Sequence, residues 1–374
     1  MPLSPMDEFL AHQTCDTFDH VFTSDRNFYD RYYFNMYPAG GELFLITGMG
    51  QYPNLGTADA FVAISHGETQ YVVRASRELG GNRMDTTVGP FRVEIVEGLK
   101  KVRVICEPNE WGVAFDLLFD GTVPAMEEPR TLQRQPHGRV TMDTSRYSQV
   151  GTWEGSLEVA GQQFEVTPDR WQGVRDHSWG VRGVGEPEPP GIRVKSIAEG
   201  FGFFHTWIPL QLDDCLLKLF VEADQHGEKM VEESVRIPTF RAGGEPQQMG
   251  SPSFHFVYKS GTRELESAVI ELEDHNGKPL RIEATPLRTV YLAAGSGYIP
   301  QPDWTLGMYQ GALKVEGKTY DMSTPEERAK YPLLYETLCR FELSTGEVGY
   351  GLLENLVVGI YHPHGFDSPG AMAP

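Results

Sequence analysis

Cysteine is scarce, with four residues in a chain of 374, at Cys15, Cys106, Cys215 and Cys339. None stands in a C-x-x-C spacing, which excludes a zinc ribbon, a redox pair and a small disulfide scaffold and leaves buried thiols as the expectation. Basic residues are also few. Lys plus Arg number 32 against 52 for Asp plus Glu, a formal charge of −20, and an acidic surface repels nucleic acid and anionic membranes alike. No apolar run approaches the roughly 20 residues of a membrane span. The N-terminal stretch carries Asp7, Glu8, Asp16 and Asp19 without an apolar core, unlike a signal peptide, so the expected location is cytoplasmic.

Nucleotide signatures are missing too. There is no G-x-x-x-x-G-K-[ST] loop and no strand followed by G-x-G-x-x-G, and Gly295-Ser296-Gly297 is too short to serve. G-x-S-x-G and H-E-x-x-H are absent, which removes the commonest hydrolase and zinc-protease motifs. The chemistry expected is therefore free of a nucleotide, and no cofactor is predicted.

What the chain does hold is apolar and turn-rich. Hydrophobic residues make up 40% and aromatics 11%, with 40 Gly and 26 Pro, enough to bury a core and to punctuate many short strands. Phe91 to Val96 and Lys101 to Cys106 alternate apolar with polar around a turn and read as a hairpin. Similar strands are expected at Phe61 to Ile64, Gln70 to Arg74, Val113 to Phe119, Leu216 to Glu222, Phe254 to Tyr258, Ala268 to Leu272 and Leu280 to Ala284. This is the spacing of an all-β sandwich or barrel. The one clear helix signal is Ser323-Thr324-Pro325-Glu326-Glu327-Arg328, a short helix with a capping hydroxyl and Pro in its first turn.

Length predicts two domains. Gly151 to Phe164 aligns without gaps on Gly307 to Tyr320, and each copy reads either as a recurring hairpin recipe, turning at Gly161 or Gly317, or as an internal duplication giving two similar β domains. Gly183 to Gly191, rich in Gly, Pro and Glu, is the linker candidate, placing the domains at 1–185 and 186–374. Pro363 to Pro374 reads as a frayed tail.

The densest reactive cluster is Trp171-Gln172-Gly173-Val174-Arg175-Asp176-His177-Ser178-Trp179-Gly180-Val181-Arg182. In an extended chain Arg175, His177, Trp179 and Val181 share one face and Asp176, Ser178, Gly180 and Arg182 the other. A second H-x-W unit, His205-Thr206-Trp207, shares a face with Phe203, and two such strands are expected to line one aromatic cavity. The functional reading is an apolar pocket in which His177 or His205 moves a proton while Trp179 and Trp207 shield a cationic intermediate; the bland one is core tryptophans and satisfied histidines. Arg146-Tyr147-Ser148-Gln149 offers a polar wall or an ordinary strand start. For Asp176 the simpler expectation is an ion pair with Arg175 or Arg182, which lowers its pKa; burial in the cavity would instead raise it and permit proton donation. His177, His205, His362 and His364 include a pair spaced for two ligands, but a metal needs three or four converging groups, and none is predicted.

Several of these stretches, Gln51-Tyr52-Pro53-Asn54-Leu55-Gly56, Val88-Gly89-Pro90-Phe91, Arg146 to Gly151, Gly173 to Arg182 and Gly349-Tyr350-Gly351-Leu352-Leu353-Glu354, resemble a bacterial branch of the two-domain proteins related to hydroxyneurosporene synthase, a carotenoid hydratase. The resemblance spans roughly Tyr32 to Gly359, and its most specific piece is R-D-x-S-W-G. It implies two tandem lipocalin-like β-barrel or sandwich domains with few short helices, and acid-assisted chemistry of a hydratase, cyclase or isomerase on a lipophilic terpenoid or steroid-like molecule. The hydratase branch looks more like D-R-E-W, so Asp176 and Trp179 match and Ser178 stands in place of an acid. On this reading Asp176, His177 and His205 are the catalytic candidates, and Trp179, Arg182, Trp207, Phe203 and Tyr147 contact substrate. The alternative is a non-catalytic carrier or sensor of the same ligands. The expected partners are a lipophilic small molecule and, in a homodimer, a second copy of the chain.

Overall fold

The computed structural model describes residues 3–135, 138–185 and 201–374. The chain is all-β and forms two β domains, a nearly closed barrel and a half-barrel. Every pairing between neighbouring strands is antiparallel. The barrel sheet runs, in spatial order, Leu313–Asp321, Thr69–Glu78, Thr57–His66, Leu43–Tyr52, Phe28–Pro38, Trp171–Val181, Val140–Val159, Val113–Gly121, Lys101–Cys106, Phe91–Glu97 and Thr87–Val88. The half-barrel has Gly202–Gln211 and Val348–Gly359 at its centre, flanked by Cys215–Asp224 and Lys229–Pro238 on one side and by Tyr335–Leu343, Pro279–Tyr291, Leu265–Glu273 and Ser253–Tyr258 on the other.

Alternation explains where the cores sit. Along Phe28–Pro38, Phe34 and Met36 enter the barrel interior with Leu45, Val62, Val104, Phe115 and Trp153, while Tyr33 and Tyr37 point the other way. That outer face meets the half-barrel, and Phe44, Ile46 and Val174 pack there against Trp207, Leu216, Phe220, Leu338 and Leu352. The central strands are thus buried on both faces, so they read as nearly unbroken apolar runs rather than as clean alternation. A third core, with Ile208, Leu217, Ile270, Phe341 and Leu353, fills the far side of the half-barrel.

All the strands read from sequence are present, as is the short helix Pro325–Arg328 with Thr324 as its cap. The repeat is corrected. The first copy is a hairpin, Val140–Val159 turning at Gly161 (φ 79°) into Gln162–Val166, but the second is a loop followed by the single strand Leu313–Asp321. Gly317 lies inside that strand, where a Cβ would come 2.0 Å from the Trp111 ring. One glycine serves a left-handed turn and the other a close approach, so the same spacing has two physical origins. Leu313–Asp321 moreover pairs with Thr69–Glu78 of the barrel sheet, returning a piece of the later sequence to the first domain. Of the linker candidate, 186–191 lies outside the described residues.

The tail is not frayed. Phe366 is buried, Tyr361 and Phe366 bridge, and Arg263 donates to the carbonyls of Pro369 and Ala371. Cys15 is exposed, against expectation, whereas Cys106, Cys215 and Cys339 are buried thiols. No described helix is long and apolar enough to cross a membrane.

Candidate functional site

The strand Gly202–Gln211 turns Phe203, His205 and Trp207 toward the barrel domain, and Arg146, Asp176 and Ser178 approach from the other side on Val140–Val159 and Trp171–Val181. Between them lies a cavity of about 180 Å³ whose wall includes Phe203, Phe220, Tyr298, Met142 and Leu356 together with Arg146, Ser178, Arg182, His205, Glu222 and Glu354. Gly180 sets how closely the two barrel strands that carry Thr144 and Ser178 of this wall approach each other. Its φ is 128°, and a Cβ there would come 2.1 Å from the Asp143 carbonyl oxygen, so only glycine lets these two strands run this close beside Arg182.

His205 is held between two carboxylates. Its Nδ1 is 3.2 Å from Glu222 Oε1, and its Nε2 is 3.4 Å from Glu354 Oε1, within ion-pair distance though not aligned for a hydrogen bond. Burial disfavours the imidazolium, but Glu354 and Glu222 more than offset it and push the pKa up to about 9. Since the folded value lies above the unfolded one, the stability His205 contributes is complete below about pH 6.5 and fades as pH rises through about 9. Urea unfolding of His205→Gln between pH 6 and 10 is expected to lack this alkaline decline; an unaltered profile would disprove the assignment.

Asp176 shares its strand face with Ser178 and is buried. Burial raises its carboxyl to about 7, with Glu128 and Glu354 pushing the same way and Arg146 and Arg182 opposing. Glu336 is directly opposite Glu354 across the Tyr335–Leu343 and Val348–Gly359 pair. Burial, Glu354 and Asp176 hold Glu336 well above the carboxylate range, and the Tyr33 hydroxyl donates to it at 3.4 Å. Glu354 goes the other way: His205, Arg146 and Arg182 overcome its burial and keep it ionised. Environments that drive neighbouring carboxyls apart in this way separate proton donors from charged stabilisers.

A buried hub braces the site. Glu128 accepts from Arg146 Nε at 2.5 Å, Ser148 Oγ at 2.6 Å and Trp207 Nε1 at 3.0 Å, with Lys218 Nζ at 3.7 Å. The Arg146 guanidinium lies 5.1 Å from the Trp207 ring and 5.0 Å from Phe220.

The structure divides the residues selected from sequence. Asp176, Arg182, Phe203, His205 and Trp207 meet at the domain interface, with Asp176 and Trp207 behind the cavity wall and Arg182 stacked 4.3 Å from the Tyr29 ring. His177, Trp179 and Tyr147 do not join them. His177 faces the barrel mouth, its Nε2 2.6 Å from Asp30 Oδ1 and its Nδ1 3.3 Å from the Tyr147 hydroxyl, with the Trp179 ring 5.5 Å away. Both H-x-W strands do border one cavity, through Ser178 on one and Phe203 and His205 on the other, but the expectation that His177 and Trp179 line it is corrected, because they take the opposite pleat from Asp176 and Ser178. The expected Asp176 ion pair is corrected as well. Arg175 also points into the barrel, and no described cation lies within 4.0 Å of the Asp176 carboxylate, leaving burial to set its pKa.

Sequence reasoning missed Glu128, Glu222, Glu336, Glu354 and Tyr298, and of the polar wall it offered at Arg146 to Gln149 the residue that reaches the cavity is Arg146. His364 is packed among aromatic rings and bonded to the Tyr258 hydroxyl at 2.6 Å, and His362 pairs with Asp367. Among the described residues no three His, Cys, Asp or Glu side chains group as a metal site requires.

Several solved structures are similar to this chain at low identity. An AttH-like protein from Nitrosomonas europaea is 13% identical with a TM-score of 0.53, covering 88% of this chain and 92% of that one. Kievitone hydratase from Nectria haematococca is 14% identical with a TM-score of 0.44, covering 87% and 88%, and CghA with Sch210972 is 8% identical with a TM-score of 0.48, covering 88% of each. The likeness to the Nitrosomonas protein is one of fold. No curated protein matches the sequence. The model of a family of unknown function, DUF8625, matches residues 3–367, and the chain belongs to that family.

Proposed function

We propose that the interdomain cavity carries out cofactor-independent acid–base chemistry, as a lyase or isomerase of hydratase or cyclase type, on the reactive end of a lipophilic molecule. The observation that carries this reading is the convergence of the His205–Glu222–Glu354 group and the rings of Phe203, Phe220 and Tyr298 around one cavity, with the buried Asp176 just behind its wall on the strand face of the lining residues Ser178 and Arg182. A volume of about 180 Å³ falls below the roughly 300–1,000 Å³ of sites that enclose a whole drug-sized ligand. It suits the unsaturated head of a terpenoid or steroid-like substrate better than the entire molecule. The resemblance to proteins related to hydroxyneurosporene synthase agrees with this substrate class.

In the proposed step the protonated Asp176 gives its proton to one alkene carbon, and the adjacent carbon becomes cationic. The aromatic faces and the Glu222 and Glu354 carboxylates stabilise that charge. In hydration, water forms a C–O bond to the cation and its proton returns to the Asp176 carboxylate. In cyclisation, a second alkene attacks, and loss of a C–H proton regenerates the acid.

The test is incubation in D₂O with a set of acyclic and cyclic terpenoids, followed by mass spectrometry. Products carrying deuterium at a former alkene carbon, formed by wild type and not by Asp176→Asn, are the expected result. Tight binding with no exchange or product would overturn the enzymatic reading in favour of a carrier.

A further inference from the structure

The open end of the barrel holds a second cavity, of about 510 Å³, within the size range of small-molecule sites. It lies on the opposite side of the Trp171–Val181 strand from Asp176. Tyr32, Met49, Met84, Val93 and Ile95 supply its apolar surface. Met84 and Ile95 are 48% and 52% exposed at the rim, an apolar opening that water covers at a cost. Methionines at such a surface adapt to ligands of different shape.

The polar groups of this cavity are already occupied with one another. Asp30 takes His177 Nε2 at 2.6 Å on Oδ1 and Arg83 Nη2 at 3.2 Å on Oδ2. Arg83 Nε donates to Gln51 Oε1 at 3.2 Å, and Gln51 Nε2 donates to the Arg83 carbonyl at 2.7 Å. His177 Nδ1 is 3.3 Å from the Tyr147 hydroxyl, and Glu94 is bound by Arg92 at 2.8 Å. No charge in the lining is left without a partner, so a ligand ion would have to break one of these bonds and bury its own charge. Arg175 lies one pleat deeper, its Nε bonded to Gln149 at 2.9 Å, and does not line the cavity.

We infer that the barrel mouth is a separate binding site for a neutral lipophile and discriminates against anionic amphiphiles. This inference is independent of the chemistry proposed for the interdomain cavity.

Fluorescence titration with N-phenyl-1-naphthylamine and with its anionic relative 8-anilinonaphthalene-1-sulfonate tests it. The neutral probe is expected to bind wild type at least about tenfold more tightly than the sulfonate. Its affinity is expected to fall about tenfold or more in Ile95→Asp and in Met84→Asp, both at exposed positions that tolerate a charge when empty, and to stay unchanged in Phe203→Ala. Failure of the neutral probe to bind, mouth variants that bind it as tightly as wild type, loss confined to Phe203→Ala, or a sulfonate that binds as well as the neutral probe would each overturn the proposal. None of these outcomes bears on deuterium transfer at the interdomain cavity, so the two readings fail separately.

Discussion

Asp176→Asn is expected to lose about 100- to 10,000-fold in turnover, the usual contribution of a positioned general acid, while ligand affinity stays near wild type. The substitution keeps the shape of the side chain and removes only the transferable proton. With the carboxyl pushed up to about 7, wild-type turnover is expected to be highest below that pH and to fall about tenfold per unit above it. The same group makes a second, opposite forecast for stability. Its folded pKa lies above its unfolded value of about 3.9, so the folded chain holds the extra proton between these limits and stability declines as pH rises, by about 1.4 kcal/mol per unit. The asparagine variant escapes this decline. In urea unfolding it should match wild type near pH 4 and exceed it at pH 8 by up to about 4 kcal/mol. A variant that is inactive because it is destabilised at both pH values would show instead that Asp176 holds the fold together. Active-site groups kept in unfavourable surroundings generally trade stability for function.

The stretch from Trp171 to Arg182 shows how far the sequence alone reaches. Two-residue alternation separates Asp176, Ser178 and Arg182 from Arg175, His177 and Trp179, and the folded chain respects that division. Alternation cannot say what each face meets. The two H-x-W units look equivalent on paper, yet His177 takes the pleat that faces the barrel mouth while its neighbour Ser178 faces the half-barrel, so His177 and His205 end up in different cavities.

The buried charges around the site leave a partial signal in the sequence. Lys218 within Leu216-Leu217-Lys218-Leu219, Glu336 after Tyr335, and Glu354 within Leu352-Leu353-Glu354-Asn355-Leu356 are lone charges in apolar strands, a placement tolerated only with a partner. Their partners come from distant segments, and no local spacing reports them. Glu128 is the extreme case. Glu127-Glu128-Pro129-Arg130 reads as a solvated loop, yet the Glu128 carboxylate is one of the most deeply buried groups of the protein, because Arg146 and Lys218 draw it in.

Glu128→Ala is accordingly expected to cost about 3–5 kcal/mol of stability at pH 7, the usual penalty for leaving buried cations without their partner. The loss falls on both domains, since Arg146 and Ser148 belong to the barrel and Trp207 and Lys218 to the half-barrel. Urea unfolding followed by tryptophan fluorescence should therefore broaden or split into two transitions as the interface loosens. The neighbouring cations hold the Glu128 carboxyl below its ordinary value despite burial. Its contribution is thus present above the unfolded value of about 4.3 and disappears as pH falls through the lower folded one, so the gap between wild type and variant should narrow in acid. Replacing the pair together, as Glu128→Leu with Arg146→Met, removes the Arg146 charge along with its partner, while Lys218 keeps Glu233 at 2.7 Å, and should cost less than the two single substitutions summed. Additive losses, or a Glu128→Ala protein as stable as wild type, would mean that the hub does not bind the domains to each other and that apolar contacts such as Tyr33 on Trp207 carry the interface alone.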